Sequence, residues 1–272
     1  MDKIKKGDIV ARKSYGCDIL FFVDKIIFST DGMAIAILKG ITIRIIADAF
    51  LDDLLIIDNN LIDNNIKGLD YKIENRIFSL IHNKKSLKNR YPNNLKTGKI
   101  LHLDGDKRYS EKSNRYYKKV GLNAIVKNIP ECKQPLIVKD LLLKYKPDIL
   151  VITGHDGMIK SGINYSDIHN YRNSKYFIQS VVAARTILPS NNDLAIFAGA
   201  CQSFFEAIMA SGANFASSPA RILIDFMDPL IVAEKIATTP KNKFITINDI
   251  ITDLRDGKKS IDGVGSLGKK PL

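Results

Sequence analysis

Cysteine is scarce in this chain: Cys17, Cys132 and Cys201 are the three in 272 residues, odd in number and far apart. Such a set excludes a disulfide framework and points to a reducing compartment. Long apolar runs are missing as well. Met1-Asp2-Lys3-Ile4-Lys5-Lys6 leads into no apolar h-region, and the longest apolar runs are interrupted by Lys, Arg or Asp. Neither a secretory leader nor a membrane span is expected, and the chain reads as a soluble intracellular protein. Histidine stops early, none of the four lying beyond His169. Acidic residues are outnumbered, 29 against 41 Lys and Arg. The excess is local: residues 67 to 119 hold 15 basic and 5 acidic side chains, residues 1 to 60 hold 8 and 9. Interleaved Tyr71, Phe78, Tyr91, Tyr109, Tyr116 and Tyr117 make that basic stretch a composition able to meet nucleic acid. No groove-reading motif accompanies it, however, and the bias towards Ile, Lys and Asn enriches lysine on any solvated surface. We expect no nucleic-acid partner, no cofactor and no metal.

What is present is core-forming. At 45% hydrophobic content the chain can bury a sizeable interior, as one large domain or two unequal ones. Residues 1 to 60 read as a small β unit: Ile9-Val10-Ala11-Arg12, Ile19 to Val23, Ala34 to Leu38 and Ile41 to Ile46 as strands, with Asp31-Gly32 and Lys39-Gly40 as turns. Short strands with tight turns predict an SH3-like β-barrel, a fold used more for docking than for chemistry. Residues 61 to 98, dense in Asn and Lys, read as a basic linker or helical connection.

Residues 99 to 255 alternate. Strands Ile100 to Asp104, Ala124 to Val126, Ile149 to Thr153, Leu194 to Ala198 and one from Asn214 are separated by helical patterns over Tyr109 to Lys119, Leu136 to Lys146, Lys175 to Leu188 and Gln202 to Ser211. A last helix runs from Asp228 towards Thr238. This is an α/β domain, a doubly wound, mostly parallel sheet with helices on both faces. The glycine- and lysine-rich residues 256 to 272 read as a flexible tail.

Two similar runs carry the chemistry: Ile149-Leu150-Val151-Ile152-Thr153-Gly154-His155 and Leu194-Ala195-Ile196-Phe197-Ala198-Gly199-Ala200-Cys201. Both should be parallel strands whose carboxyl ends lie at one edge of the sheet, where open α/β folds keep their working residues. A thiol beside an imidazole supplies a nucleophile and its base. At a strand-to-helix turn, Cys201 would face a helix amino terminus, which favours thiolate. Its own N–H, with that of Asp156 or Gly157, would form an oxyanion hole. Asp104 and Asp106, ending the first strand, would orient His155 or cap the next helix. Ser217 and Ser218 would line the substrate cleft through backbone contacts or form an ordinary Ser-Ser-Pro loop.

His155 precedes Cys201 by 46 residues, close to the roughly 50 of caspases. The strand–His–Gly and strand–Ala–Cys pattern resembles the caspase, clostripain and gingipain fold, with Asp156 intervening before Gly157. Longer words narrow this. Gly7-Asp8-Ile9-Val10-Ala11-Arg12-Lys13-Ser14-Tyr15, Leu103-Asp104-Gly105-Asp106, Pro147 to Asp156, Tyr171-Arg172-Asn173-Ser174-Lys175, Phe197 to Ser203 and Gly212 to Pro219 together resemble the sporulation-specific YabG protease family of spore-forming Firmicutes. The resemblance implies a caspase-like cysteine peptidase made in the mother-cell cytoplasm. It would act at the forming spore coat, trimming coat and cortex-associated proteins next to Arg or Lys, and the likeness to caspase-like peptidases implies that Asp104 or Asp106 pairs that substrate cation. Where relatives often carry histidine this chain has Phe204 and Asp225, which leaves His155 as the base. The alternative is a non-catalytic coat or nucleic-acid-binding adaptor that keeps the fold.

Overall fold

The computed structural model describes residues 4–57, eight positions between 67 and 78, 96–159 and 164–272. Most of the expected connection over 61 to 98 therefore lies outside the described residues. Within it, the eight described positions between 67 and 78 are helical.

The amino-terminal unit is a five-stranded antiparallel sheet: β1 (Ile9–Arg12), β2 (Leu20–Phe28), β3 (Ala34–Gly40), β4 (Ile46–Phe50) and β5 (Leu54–Ile56), in the order β4-β3-β2-β1-β5. A 3-10 turn over Leu51–Asp53 separates the last two strands. Val10, Phe21, Val23, Ala36 and Leu38 alternate inward to make its core. The strand expected over Ile41 to Ile46 is instead a loop, since β3 ends at Gly40 and β4 begins at Ile46.

The larger unit begins with β6 (Ile100–Asp104), α1 (Lys107–Val120), β7 (Ala124–Asn128), α2 (Gln134–Tyr145) and β8 (Ile149–Thr153). It continues with α3 (Ser174–Ile187), β9 (Ala195–Ala198), α4 (Phe205–Ala210), β10 (Phe215–Ser217) and α5 (Asp228–Thr238). The sheet runs β7-β6-β8-β9-β10, all parallel. These strands read as continuous apolar runs because both faces are covered. Ile100, Ile149, Val151, Phe197 and Phe215 point to one face, where α1 and α5 pack; Leu101, Leu103, Leu150, Ile152 and Ile196 point to the other, against α2, α3 and α4. The strand order reverses between β6 and β8, so their carboxyl ends open a crevice.

The carboxyl-terminal residues are ordered, contrary to the expected flexible tail. Strand β11 (Phe244–Ile245) pairs with β13 (Ser266–Leu267), and β12 (Ile261–Gly263) adds an antiparallel edge to β10. Glycine was the misleading signal. A Cβ on Gly263 would lie 2.2 Å from the Asn214 carbonyl oxygen, so glycine here permits close strand approach rather than mobility. Among the described residues no helix is long and apolar enough to cross a membrane.

Candidate active site

The crevice edge is held by buried acids. Glu131, in the 3-10 turn before α2, accepts from the His155 N–H at 2.7 Å. It fits because two strand ends lack side chains: a Cβ would meet its carboxylate at 2.2 Å from Gly105 and at 2.4 Å from Gly154. Asn173 donates from its side chain to the His155 carbonyl at 2.8 Å. Thus the turn bearing His155 is fixed from both sides.

Asp156, the residue intervening before Gly157, is fully buried and ties the histidine turn to the cysteine turn. It accepts from the Gly157 N–H (2.9 Å), the Asn173 N–H (2.7 Å), Ser174 Oγ (2.5 Å) and Ser203 Oγ (2.9 Å). Ser203 Oγ in turn accepts from Ala200 N–H at 2.9 Å. Burial pushes the Asp156 carboxyl up to about 6, against the lowering effect of its four donors. Ser217 donates to the Ala200 carbonyl, while Ser218 donates to Ile222 and accepts from Gln202 N–H. These two serines therefore brace the Cys201 turn from beneath.

Cys201 itself is completely buried, in the cluster that forms the core of the amino-terminal unit, with its sulfur 3.9 Å from the Ile224 carbonyl. Two expectations fail here. Helix α4 begins at Phe205 and is a six-residue helix, with Gln202 in the left-handed region between, so the thiol does not sit at a helix amino terminus. Burial then pushes the thiol up to about 11, only partly opposed by the Arg44 guanidinium and by hydrogen bonds to the Ile224 and Arg44 backbone. Cys17 is partly exposed and Cys132 exposed, both free thiols.

The two strand-end acids divide the roles foreseen for them. Asp106 caps α1, accepting from Arg108 N–H at 2.8 Å and Tyr109 N–H at 3.2 Å, and its other oxygen lies 4.0 Å from His155 Nδ1. Asp104 is fully buried and accepts from Arg44 Nη1 at 2.9 Å and Thr153 Oγ1 at 2.7 Å. His102 behind it bonds Thr153 and Tyr117, and burial lowers its pKa to about 4.

Arg44 is the residue that sequence reasoning missed. Its signal was a lone charge amid isoleucines in Ile41-Thr42-Ile43-Arg44-Ile45-Ile46. The guanidinium, 3% exposed, lies 5.3 Å from the Tyr109 ring and 5.8 Å from that of Phe226. Its carbonyl oxygen accepts from Asp156 N–H at 3.3 Å, and Ile46 N–H donates to the Asp156 carbonyl at 2.8 Å. Ile45 and Asp156 form a parallel bridge. The Gly40 carbonyl, at the head of the same loop, accepts from His155 Nε2 at 3.1 Å. Of the expected oxyanion donors, Asp156 N–H thus faces a carbonyl, whereas Gly157 N–H is taken up by the Asp156 side chain. Among the described residues no cluster of His, Cys, Asp and Glu suits a metal ion.

Comparison with known proteins follows the same lines. The family described as YabG peptidase U57 matches residues 5–271. The chain is 37% identical over 280 residues, 96% of its length and 94% of the other's, to the sporulation-specific protease YabG of Bacillus subtilis (strain 168). No solved structure matches it.

Proposed function

Because this chain belongs to the YabG peptidase U57 family, we propose that it is a sporulation cysteine endopeptidase that cuts after arginine or lysine with a Cys201–His155 dyad. One observation carries this reading: an arginine already lies across the crevice as a substrate would. The Arg44 side chain is on Asp104, its carbonyl on Asp156 N–H, and its backbone is beside Cys201. Tyr109 and Phe226 supply aromatic faces for a guanidinium, and Asp104 supplies the charge.

In this mechanism His155 takes the proton from Cys201 as the sulfur attacks the P1 carbonyl carbon. The oxygen then carries negative charge, and the N–H groups of Asp156 and Cys201 hold it. As the carbon–nitrogen bond breaks, His155 returns the proton to the leaving amine. Water, deprotonated by His155, next attacks the thioester, releasing the acid and the thiol. Asp106 orients His155 through Nδ1. Residues 1 to 60 form the SH3-like unit of a caspase-like enzyme, and the substrates are proteins of the spore coat and cortex, met in the mother cell.

The adaptor reading draws on the thiol's complete burial. The two separate on purified protein given arginyl and neutral peptides. Hydrolysis that prefers arginine and disappears in Cys201→Ala supports the peptidase, and no hydrolysis of either peptide by a folded chain with an accessible thiol refutes it.

A further inference from the structure

We propose that the loop 40–46 is a tethered, substrate-shaped inhibitor that keeps this chain latent until the amino-terminal unit lifts from the crevice. The proposal rests on the peptidase reading of Cys201 and His155, and adds what occupies that site.

The loop makes three kinds of contact at once. Arg44 satisfies the buried Asp104, which would otherwise be an uncompensated charge. Residues 44 to 46 lie along Asp156 through two main-chain hydrogen bonds, as an extended peptide adds to an exposed edge. Tyr109 OH donates to the Ile41 carbonyl at 3.4 Å, fastening the loop's first half.

The seating blocks rather than reacts. His155 Nε2 donates to the Gly40 carbonyl, so the nitrogen needed to take a proton from the thiol is occupied by the inhibitor. The loop is closed by its own Gly40 N–H to Ile45 carbonyl bond at 2.9 Å. Both groups of the dyad are covered: His155 is 1% exposed and Cys201 is wholly enclosed. The lid is also imperfect. Arg44 Nη2 is buried with no hydrogen-bond partner among the described residues, so the pocket does not hold this arginine by both arms of its fork. A segment held this way is strong enough to occlude and weak enough to be displaced.

The test uses the full chain with Cys17→Ser and Cys132→Ser, so that iodoacetamide reports Cys201 alone. Alkylation is followed by mass spectrometry in parallel with hydrolysis of an arginyl peptide amide. Arg44→Gln and Asp104→Asn remove the ion pair from opposite sides, and circular dichroism checks the fold of each. The parent should alkylate slowly, because its thiol reacts only from the open population. Either variant should alkylate roughly a hundredfold faster, the shift expected when a buried ion pair stops favouring one state. A parent thiol as reactive as free cysteine would overturn the proposal, as would folded variants that alkylate no faster than the parent. Hydrolysis separates the two readings: fast alkylation in Arg44→Gln without arginyl cleavage leaves the loop as a cover over Cys201 and removes the peptidase assignment, and with it the inhibitor role.

Discussion

Removing the Asp156 carboxylate should unhinge the site before it unfolds the protein. In Asp156→Ala two main-chain N–H groups, of buried Gly157 and of partly buried Asn173, lose their acceptor. A buried donor left unsatisfied costs about 1–3 kcal/mol. The Ser174 and Ser203 hydroxyls also lose it, but a hydroxyl can rotate towards another acceptor and is charged less. The expected loss is therefore about 4 kcal/mol, a large part of the roughly 5–15 kcal/mol that holds a domain. Asp156→Asn keeps the shape and one acceptor oxygen but turns an amide NH2 towards donors, so about half that loss is expected. Urea unfolding measures both, with the midpoint falling and the slope unchanged. A double-mutant cycle with Ser203→Ala tests the staple directly, since the two side chains share a bond and their losses should fall short of additive by about 1 kcal/mol or more. Loss of under about 1 kcal/mol in Asp156→Ala, together with strict additivity, would refute the idea that this carboxylate joins the histidine and cysteine turns.

Cys201→Ala and His155→Ala should each abolish proteolysis with the fold retained, because paired groups act as a unit; a Cys201→Ala protein that still cleaves removes the assignment. In an Arg44→Gln background, Asp104→Ala should erase preference for arginine over a neutral P1 residue by several kcal/mol, read as the ratio of kcat/KM values. Gly154→Ala should push the Glu131 carboxylate off the His155 N–H, since its Cβ would lie 2.4 Å from that carboxylate, and cost about 1–3 kcal/mol; thermal unfolding within a degree or two of the parent would contradict this. His102 binds its proton less readily folded than unfolded, so stability should be lost as pH falls from about 6.5 through about 4, by on the order of 3 kcal/mol. Asp156, its carboxyl raised, works in the opposite sense in an overlapping window, so the decisive quantity is the stability difference between parent and His102→Asn, which should stop changing with pH above about pH 7.

The α/β part of the molecule was legible because its strands are buried on both faces. Ile149 to Thr153 and Leu194 to Ala198 contain no polar residue but a terminal threonine, and such runs bounded by glycine have little alternative to a central parallel strand. Edges were harder to read. Strand β12 is three residues long and is held by Gly263 fitting against Phe215, a fit between distant segments that has no local periodicity. The start of α4 was misplaced for a related reason. Gln202 and Ser203 suit a helix as well as a turn, and bonds to distant segments, from Ser203 Oγ to Asp156 and from Gln202 N–H to Ser218 Oγ among them, hold them in the turn.

The site was half legible, and the missing half explains itself. Chemistry marks residues such as His155, Cys201, Asp104 and Asp106 by type, at strand ends that the fold makes adjacent. What sits against them is marked only by context. Arg44 belongs to a stretch whose isoleucines alternate like a strand, and the alternation was the stronger signal. Tertiary electrostatics overrides it: a fully buried Asp104 demands a cation, and Arg44 meets that demand only if residues 41 to 45 leave the sheet as a loop. On the proposed peptidase reading, the same demand serves two states. If Asp104 receives a substrate's arginine, as proposed, it must be neutralised while no substrate is present, and an arginine carried on the loop that now covers it would satisfy both states with one pocket.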